Sequence, residues 1–383
     1  MELYVHIPFC RKKCRYCAFT SFPEQEASFR KYIQLLHQEA PIRCPEATEP
    51  IRTVYIGGGT PSILPSALFS ELTDHLRSVF DLDEVEEYTS EANPGTATRE
   101  WLDSAVSHGV NRISFGMQAY QDRLLRLLGR IHTSEDVFSS VSLARSSGIH
   151  NISLDLIFGI PTQSLKDWEE TVRAALSMKP QHISAYGLIP EEGTPLKDDL
   201  DHGRLILPEP ELEREMYDMV IRLTEEAGFH QYEISSFAQK SYECRHNIGY
   251  WTQVPYIGLG ISAASMTGVR YGTDGMSYTR SVNPDSFSDY QKLVSRRSFP
   301  ANRDWISPAE ARFETMMLGL RMNKGVSESA FLRMHRIPVE QCYGEKLRSM
   351  EKKGLFVHED GIWRLTERGF DIQNSILVEM MDN

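Results

Sequence analysis

The sequence predicts an α/β fold: a partial (β/α)6 TIM-like barrel, then a smaller α+β C-terminal region with a winged-helix-like tail. Three observations lead there. The first half repeats one pattern six times: a short apolar strand, a polar or Gly-rich stretch, then an amphipathic segment. Chemically suggestive residues fall at the end of nearly every strand, where α/β barrels keep their sites. The pattern stops after Pro195, and Ser307-Pro308-Ala309-Glu310 then opens a unit of different character with a capping box and Pro at the first helical position.

In chain order, strands are expected over 3–7, 53–57, 88–92, 112–117, 153–158 and 182–188. Helices are expected over 28–39, 66–79, 99–107, 134–147 and 165–178. Right-handed crossovers would curl such a parallel sheet into part of a barrel. A long helix over 208–228 has acidic early turns, which suit the positive end of its dipole. The segments YEISSF, CRHNIGYW and YIGLGISAAS follow. From Ser307, Phe313, Met316, Met317 and Leu320 recur at helical spacing and read as core. The tail from Val339 reads helix, hairpin with Asp360-Gly361 at the turn, then helix. This divides the chain into a core unit (1–237), a connecting region with HNIGYW (238–306) and a C-terminal unit (307–383).

At 383 residues the chain is long enough for two or three domains, and its net charge of −12 argues against nucleic acid as a main partner. No apolar run reaches spanning length, so an integral membrane protein is not expected. MELYVHIPFC reads as a strand running into a loop, without room for a signal peptide. Of the six cysteines, Cys44, Cys244 and Cys342 are scattered without framework spacing, which fits a reducing, cytoplasmic setting.

The other three, Cys10, Cys14 and Cys17 in HIPFCRKKCRYCAF, carry the strongest signal. A structural zinc site or closed cluster cage takes four ligands. The spacing C-x3-C-x2-C offers three, which on a [4Fe–4S] cube leaves one iron open to a small molecule. This resembles the cluster loop of radical S-adenosylmethionine (SAM) proteins, where the amino-acid end of SAM chelates that iron and the cluster's electron splits SAM to a 5′-deoxyadenosyl radical. The surrounding Arg11, Lys12, Lys13 and Arg15 argue for thiolates stabilised by positive charge.

Other candidates are weaker singly. Tyr16 could stack on adenine or simply pack the loop. Gly57, Gly58, Gly59 and Thr60 in YIGGGTP let backbone approach a ligand, or form a plain tight turn; dinucleotide and Walker spacings are absent. Glu91, Gln118, Arg130, Asp155 and Tyr186 lie at or beyond strand ends, with caps and surface ion pairs as the ordinary alternative. In HNIGYW, His246 could ligate a heme iron while Tyr250 and Trp251 cover the macrocycle, or all three could be core.

Together, LYVHIPFCRKKCRYCAF, YIGGGTPS, EANPG, FGMQ, LGRIH and DLIFGIP resemble, in order, the coproporphyrinogen-oxidase-like branch of the radical SAM superfamily. The resemblance implies a radical SAM barrel with Cys10, Cys14 and Cys17 holding the [4Fe–4S] cluster. It places Tyr4, Gly58, Gly59, Thr60, Glu91, Gln118, Arg130 and Asp155 at SAM sites, some of them matching a second SAM molecule in the oxidases. Those oxidases carry a fourth cysteine where Phe19 stands here, and a longer N-terminal extension. His-Asn-x-x-Tyr-Trp instead marks the HemW-type heme chaperones, with the histidine as heme ligand. The resemblance therefore implies a carrier that binds cluster, SAM and heme and passes heme to an acceptor, hemoproteins of a respiratory chain being natural recipients. The alternative is an oxygen-independent coproporphyrinogen III oxidase; a third reading is a radical SAM enzyme for another substrate.

Overall fold

The computed structural model describes residues 1–23 and 26–381. Six parallel strands lie side by side in chain order: β1 (Glu2–Ile7), β2 (Thr53–Gly58), β3 (Glu87–Ala92), β4 (Arg112–Gln118), β5 (Asn151–Phe158) and β6 (His182–Gly187). Each matches its expected strand to within two residues at either end, and helices cover the outer face.

Side chains alternate along these strands with period two. Leu3, Val5 and Ile7, Val54 and Ile56, Ile113 and Phe115, and Leu154 and Leu156 pack outward in one core with Phe69, Leu72, Trp101, Trp168 and Val172 of the covering helices. The inward positions are polar instead: Glu2, Thr53, Glu87, Arg112, Ser153 and His182 are all buried. Strands of a parallel sheet are ordinarily apolar on both faces. A polar lining is costly to bury, so this interior is a site rather than a second core.

The sheet does not end with the barrel strands. Beyond β6 it adds Ser236–Ala238 and His230–Glu233, both antiparallel. Beyond β1 it adds Tyr256–Leu259 in parallel, then antiparallel Ala264–Gly272, Gly275–Val282 and Arg303–Ile306. The stretch expected as a connecting region thus supplies four strands to the twelve-stranded sheet. Two helices, Asp122–Leu128 and Pro195–Asp201, escaped the pattern because seven residues are too few to show a period.

From Pro308 the chain forms a unit with its own apolar core, in which Met316, Leu320, Phe331, Leu347 and Trp363 are buried. The Ser307–Glu310 capping box is present as expected. The hairpin Phe356–Glu359/Ile362–Leu365 turns at Asp360 and Gly361 with φ of 51° and 70°, the left-handed pair that a tight I′ turn needs. Among the described residues, no helix is long and apolar enough to cross a membrane.

Candidate functional site: the cysteine cavity and the helix beneath it

The cysteine loop is held by backbone, not by its own charges. Gly59 N donates to Ile7 O at 2.8 Å and Thr60 N to Phe9 O at 2.7 Å, while Arg15 exchanges backbone bonds with Leu128 and Leu196. A Cβ on Gly59 would lie 2.5 Å from Phe9 O, and one on Gly58, at φ +104°, only 2.3 Å from the His6 ring. Gly58 N is also committed, to Glu91 Oε2 at 3.0 Å. The triple glycine was expected to let backbone approach a ligand, with carbonyls and amides as the binding groups. The amides of Gly58 and Gly59 are engaged inside the protein, both glycines line the same cavity as the cysteines, and their lack of side chains lets β2 lie against the loop.

Cys10, Cys14 and Cys17 are half-buried around one cavity of about 440 Å³. Among the described residues, no three His, Cys, Asp or Glu side chains converge on a single metal ion. Three thiolates that each serve a different corner of a cube need no such convergence, so the trio fits a cluster better than a mononuclear metal. The loop cations act on the sulfurs unevenly. Burial pushes the Cys10 and Cys17 thiols up, while Lys13 draws Cys17 back down; Lys12 lines the cavity, and Arg15 turns away to pair with Asp199. The guanidinium that reaches sulfur is Arg130, whose Nη1 lies 3.5 Å from Cys14 Sγ; Thr60 Oγ1 donates to Cys10 Sγ at the same distance.

Arg130 Nη2 also donates to Asn93 Oδ1 and to Gly116 O, each at 2.7 Å, yet among the described residues it meets no carboxylate. Gln118 sits where β4 bulges, with φ of 66°. A non-glycine residue held there marks strain that surrounding structure must support. Glu91 takes Tyr55 OH at 2.8 Å; burial raises its pKa to about 7, so near neutrality it is part acid, part carboxylate. Asp155, whose pKa burial also raises, accepts Ser114 Oγ on both oxygens at 3.1 Å. Tyr16 faces the same cavity while packing against Leu125 and Leu128, and Tyr186 stands at its mouth. The fold therefore brings Tyr16, Gly58, Gly59, Thr60, Glu91, Gln118, Arg130, Asp155 and the three cysteines together.

Tyr4 is not among them. Its hydroxyl bonds His6 Nδ1 at 2.9 Å, and it lines a neighbouring cavity of about 520 Å³ with Tyr250. Arg112, Ser114, Ser184 and Asn247 line the cysteine cavity without having been singled out. For the first three the signal was present: a polar residue at an inward position of a parallel strand.

HNIGYW lies in a short helix, Arg245–Trp251, pushed under the barrel. Glu87 caps it, accepting Arg245 N at 2.9 Å and His246 N at 3.2 Å. Gly249 presses on β1 so closely that a Cβ would sit 1.7 Å from Glu2 Oε1. His246 is 1% exposed. Its Nδ1 meets Thr53 Oγ1 at 2.7 Å and its Nε2 meets Tyr250 OH at 2.9 Å, with Tyr55 stacked at 5.1 Å. Glu2 Oε2 comes within 3.9 Å of the ring, but burial holds the imidazole neutral, its pKa down to about 3, and pushes Glu2 up to about 9. The contact is neutral on both sides and no salt bridge. In this conformation both ring nitrogens of His246 are engaged, so a ligand role would require one of them to be released. Trp251 lies under Arg321 at 5.6 Å and packs against the cluster of Tyr232, Ala238 and Met322.

The family model of the radical SAM superfamily matches residues 4–175, and that of the HemN C-terminal domain matches 306–372. A solved structure of coproporphyrinogen III oxidase (HemN) from Escherichia coli, a radical SAM enzyme, superposes with TM-score 0.82 over 99% of this chain and 89% of that one, at 22% identity. Fold and family model define the class as the radical SAM barrels. Heme chaperone HemW of Bacillus subtilis is 36% identical, with 97% of each chain covered. Its counterpart in Lactococcus lactis is 31% identical over 99% of this chain and 96% of that one, and the Escherichia coli protein 31% over 98% and 97%. The chain belongs to the HemW family of that superfamily.

Proposed function

We propose that this protein is a heme carrier built on a radical SAM core, holding a [4Fe–4S] cluster on Cys10, Cys14 and Cys17, binding SAM beside it and passing heme to an acceptor protein in the cytoplasm. The observation that carries this reading is the near full-length identity to relatives named heme chaperones. The cavity supports it. Arg130, beside Cys14 and without a carboxylate partner among the described residues, suits the carboxylate of SAM, while Glu91 and Asp155 suit ribose hydroxyls. The cluster, when bound, supplies one electron to the sulfonium of SAM.

Heme through His246 requires one ring nitrogen to be freed. Nε2 is the candidate, because its partner Tyr250 lines the neighbouring cavity and a swing of that hydroxyl would open the nitrogen to it. The oxidase reading is weaker. Phe19, 69% exposed, stands where the resemblance to the oxidases calls for a fourth cysteine, and the structural likeness to the oxidase concerns the fold alone.

The test is an anaerobic heme titration of the cluster-reconstituted protein, followed by its Soret band. Stoichiometric binding is expected, lost in His246→Ala with cluster content intact and tightened in Tyr250→Phe, which frees Nε2. Binding unchanged in both variants would remove His246 from the heme site. Absence of binding in the wild type, with protoporphyrinogen formed from coproporphyrinogen over many turnovers, would favour the oxidase.

A further inference from the structure

The cysteine cavity has a second cationic end. At its floor, on the first residue of β4, Arg112 is 2% exposed and lines the cavity. The guanidiniums of Arg43 and Arg130 have partners for their terminal nitrogens: Arg43 donates to Glu46 and Ser265, and Arg130, although its Nε is also without a partner, has Asn93, Gly116 and Cys14. Among the described residues, Arg112 has neither a hydrogen-bond nor an ion-pair partner, and its Nε is buried without one. Glu87, Glu91 and Asp155 act on it only at range: the Glu87 oxygens already receive Arg245 N, His246 N, Thr89 Oγ1 and Cys244 Sγ, Glu91 takes Tyr55 and Asp155 takes Ser114. An unpaired buried cation costs several kcal/mol, by the order of magnitude known for such groups. Beside it Asn247, the second residue of HNIGYW, reaches the same cavity, and Ser114 is committed to Asp155.

We propose that Arg112 and Asn247 form a carboxylate-binding subsite at the floor of the barrel, separate from Arg130 at the cysteine end. A planar carboxylate offers the guanidinium the bidentate partner it lacks. The Asn247 amide adds a neutral donor. This gives HNIGYW a second role: its His246 anchors the helix and its Asn247 faces the cofactor cavity. The subsite rests on the reading that this cavity takes ligands. Two carboxylates meet that description, a propionate arm of heme and the amino-acid end of a SAM molecule other than the one whose carboxylate Arg130 takes.

Ligand-free stability supplies the first test. Arg112→Met removes an unpaired charge and raises the melting temperature of the ligand-free chain; a structural arginine gives a fall, and a variant that melts lower or fails to fold overturns the proposal. Binding supplies the second, on cluster-reconstituted protein, with hemin against hemin dimethyl ester and SAM against 5′-methylthioadenosine. Arg112→Gln weakens one of the two acids about tenfold to a hundredfold, as loss of a charged hydrogen-bonded pair does. It leaves the carboxylate-free analogue unchanged, and Asn247→Ala gives a smaller loss on the same ligand. Which acid responds identifies the source. Both acids binding Arg112→Gln as they bind the wild type, or acid and analogue weakening together, overturns the subsite. A wild type that binds no heme defeats the carrier reading while SAM still tests the subsite.

Discussion

The cysteine loop and the Arg245–Trp251 helix both crowd metal-ligating side chains, and they are built in opposite ways. In the loop, backbone bonds fix the chain, and the Cys10 and Cys14 sulfurs receive long contacts, at 3.5 Å from Thr60 and Arg130. In the helix, both nitrogens of His246 are engaged at 2.7 and 2.9 Å and the helix is clamped by Glu87. The loop holds its ligands ready for an incoming group, whereas the helix uses its histidine to hold itself. Residue type suggested a metal ligand in both places; unspent bonding capacity separates them.

The largest expected effect breaks the loop's side of that contrast. Cys14→Ser should abolish cluster assembly, read as iron and sulfide per chain, with little change in the melting temperature of the cluster-free protein. A large loss of stability would make the cysteine structural. Next comes pH. Glu2 holds its proton to about 9 in the folded chain against 4.5 unfolded, and Glu91 to about 7. Between those values the folded state binds more protons at these two groups, so their contribution to stability is fullest below about pH 4.5 and falls by several kcal/mol as pH rises toward 9. Denaturant unfolding across that range should flatten in Glu2→Gln, and an unflattened profile would place the titration elsewhere.

His246→Ala loses two buried hydrogen bonds and leaves a void, roughly 3 kcal/mol together. Cluster content should stay normal; a stability cost near zero would show that the ring is not an anchor. Glu87→Gln removes the charge from the helix cap and should cost about 1 kcal/mol, seen as faster amide exchange at Arg245 and His246. The smallest effect concerns Trp251. Arg321→Ala should cost roughly 0.5–1 kcal/mol for the lost cation–π contact, measured by chemical denaturation, and should leave heme and SAM affinities alone.

Much of the barrel was legible because its strands alternate and its helices are long enough to show a period. Six strands and the cysteine loop need nothing beyond local pattern. The antiparallel extension was not legible, since whether Tyr256–Leu259 joins β1 is settled by long-range pairing that no local window contains. His246 shows the same limit at a site. Its chemistry suggested a ligand, but Thr53, Tyr55 and Glu2 lie nearly two hundred residues or more away in the chain. Asn247 was overlooked for the complementary reason, that its importance lies in where it faces; Arg112 stood at a legible inward position, but what it lacks is not written in residue type.

The most direct test of the central claim, a three-thiolate cluster whose open iron takes SAM in this cavity, is electron paramagnetic resonance of the reduced, reconstituted protein with and without SAM. The account predicts that SAM alters the cluster spectrum and that Arg130→Gln weakens this response. A spectrum indifferent to saturating SAM would contradict it, because a cluster with an open iron beside this cavity could not ignore its ligand.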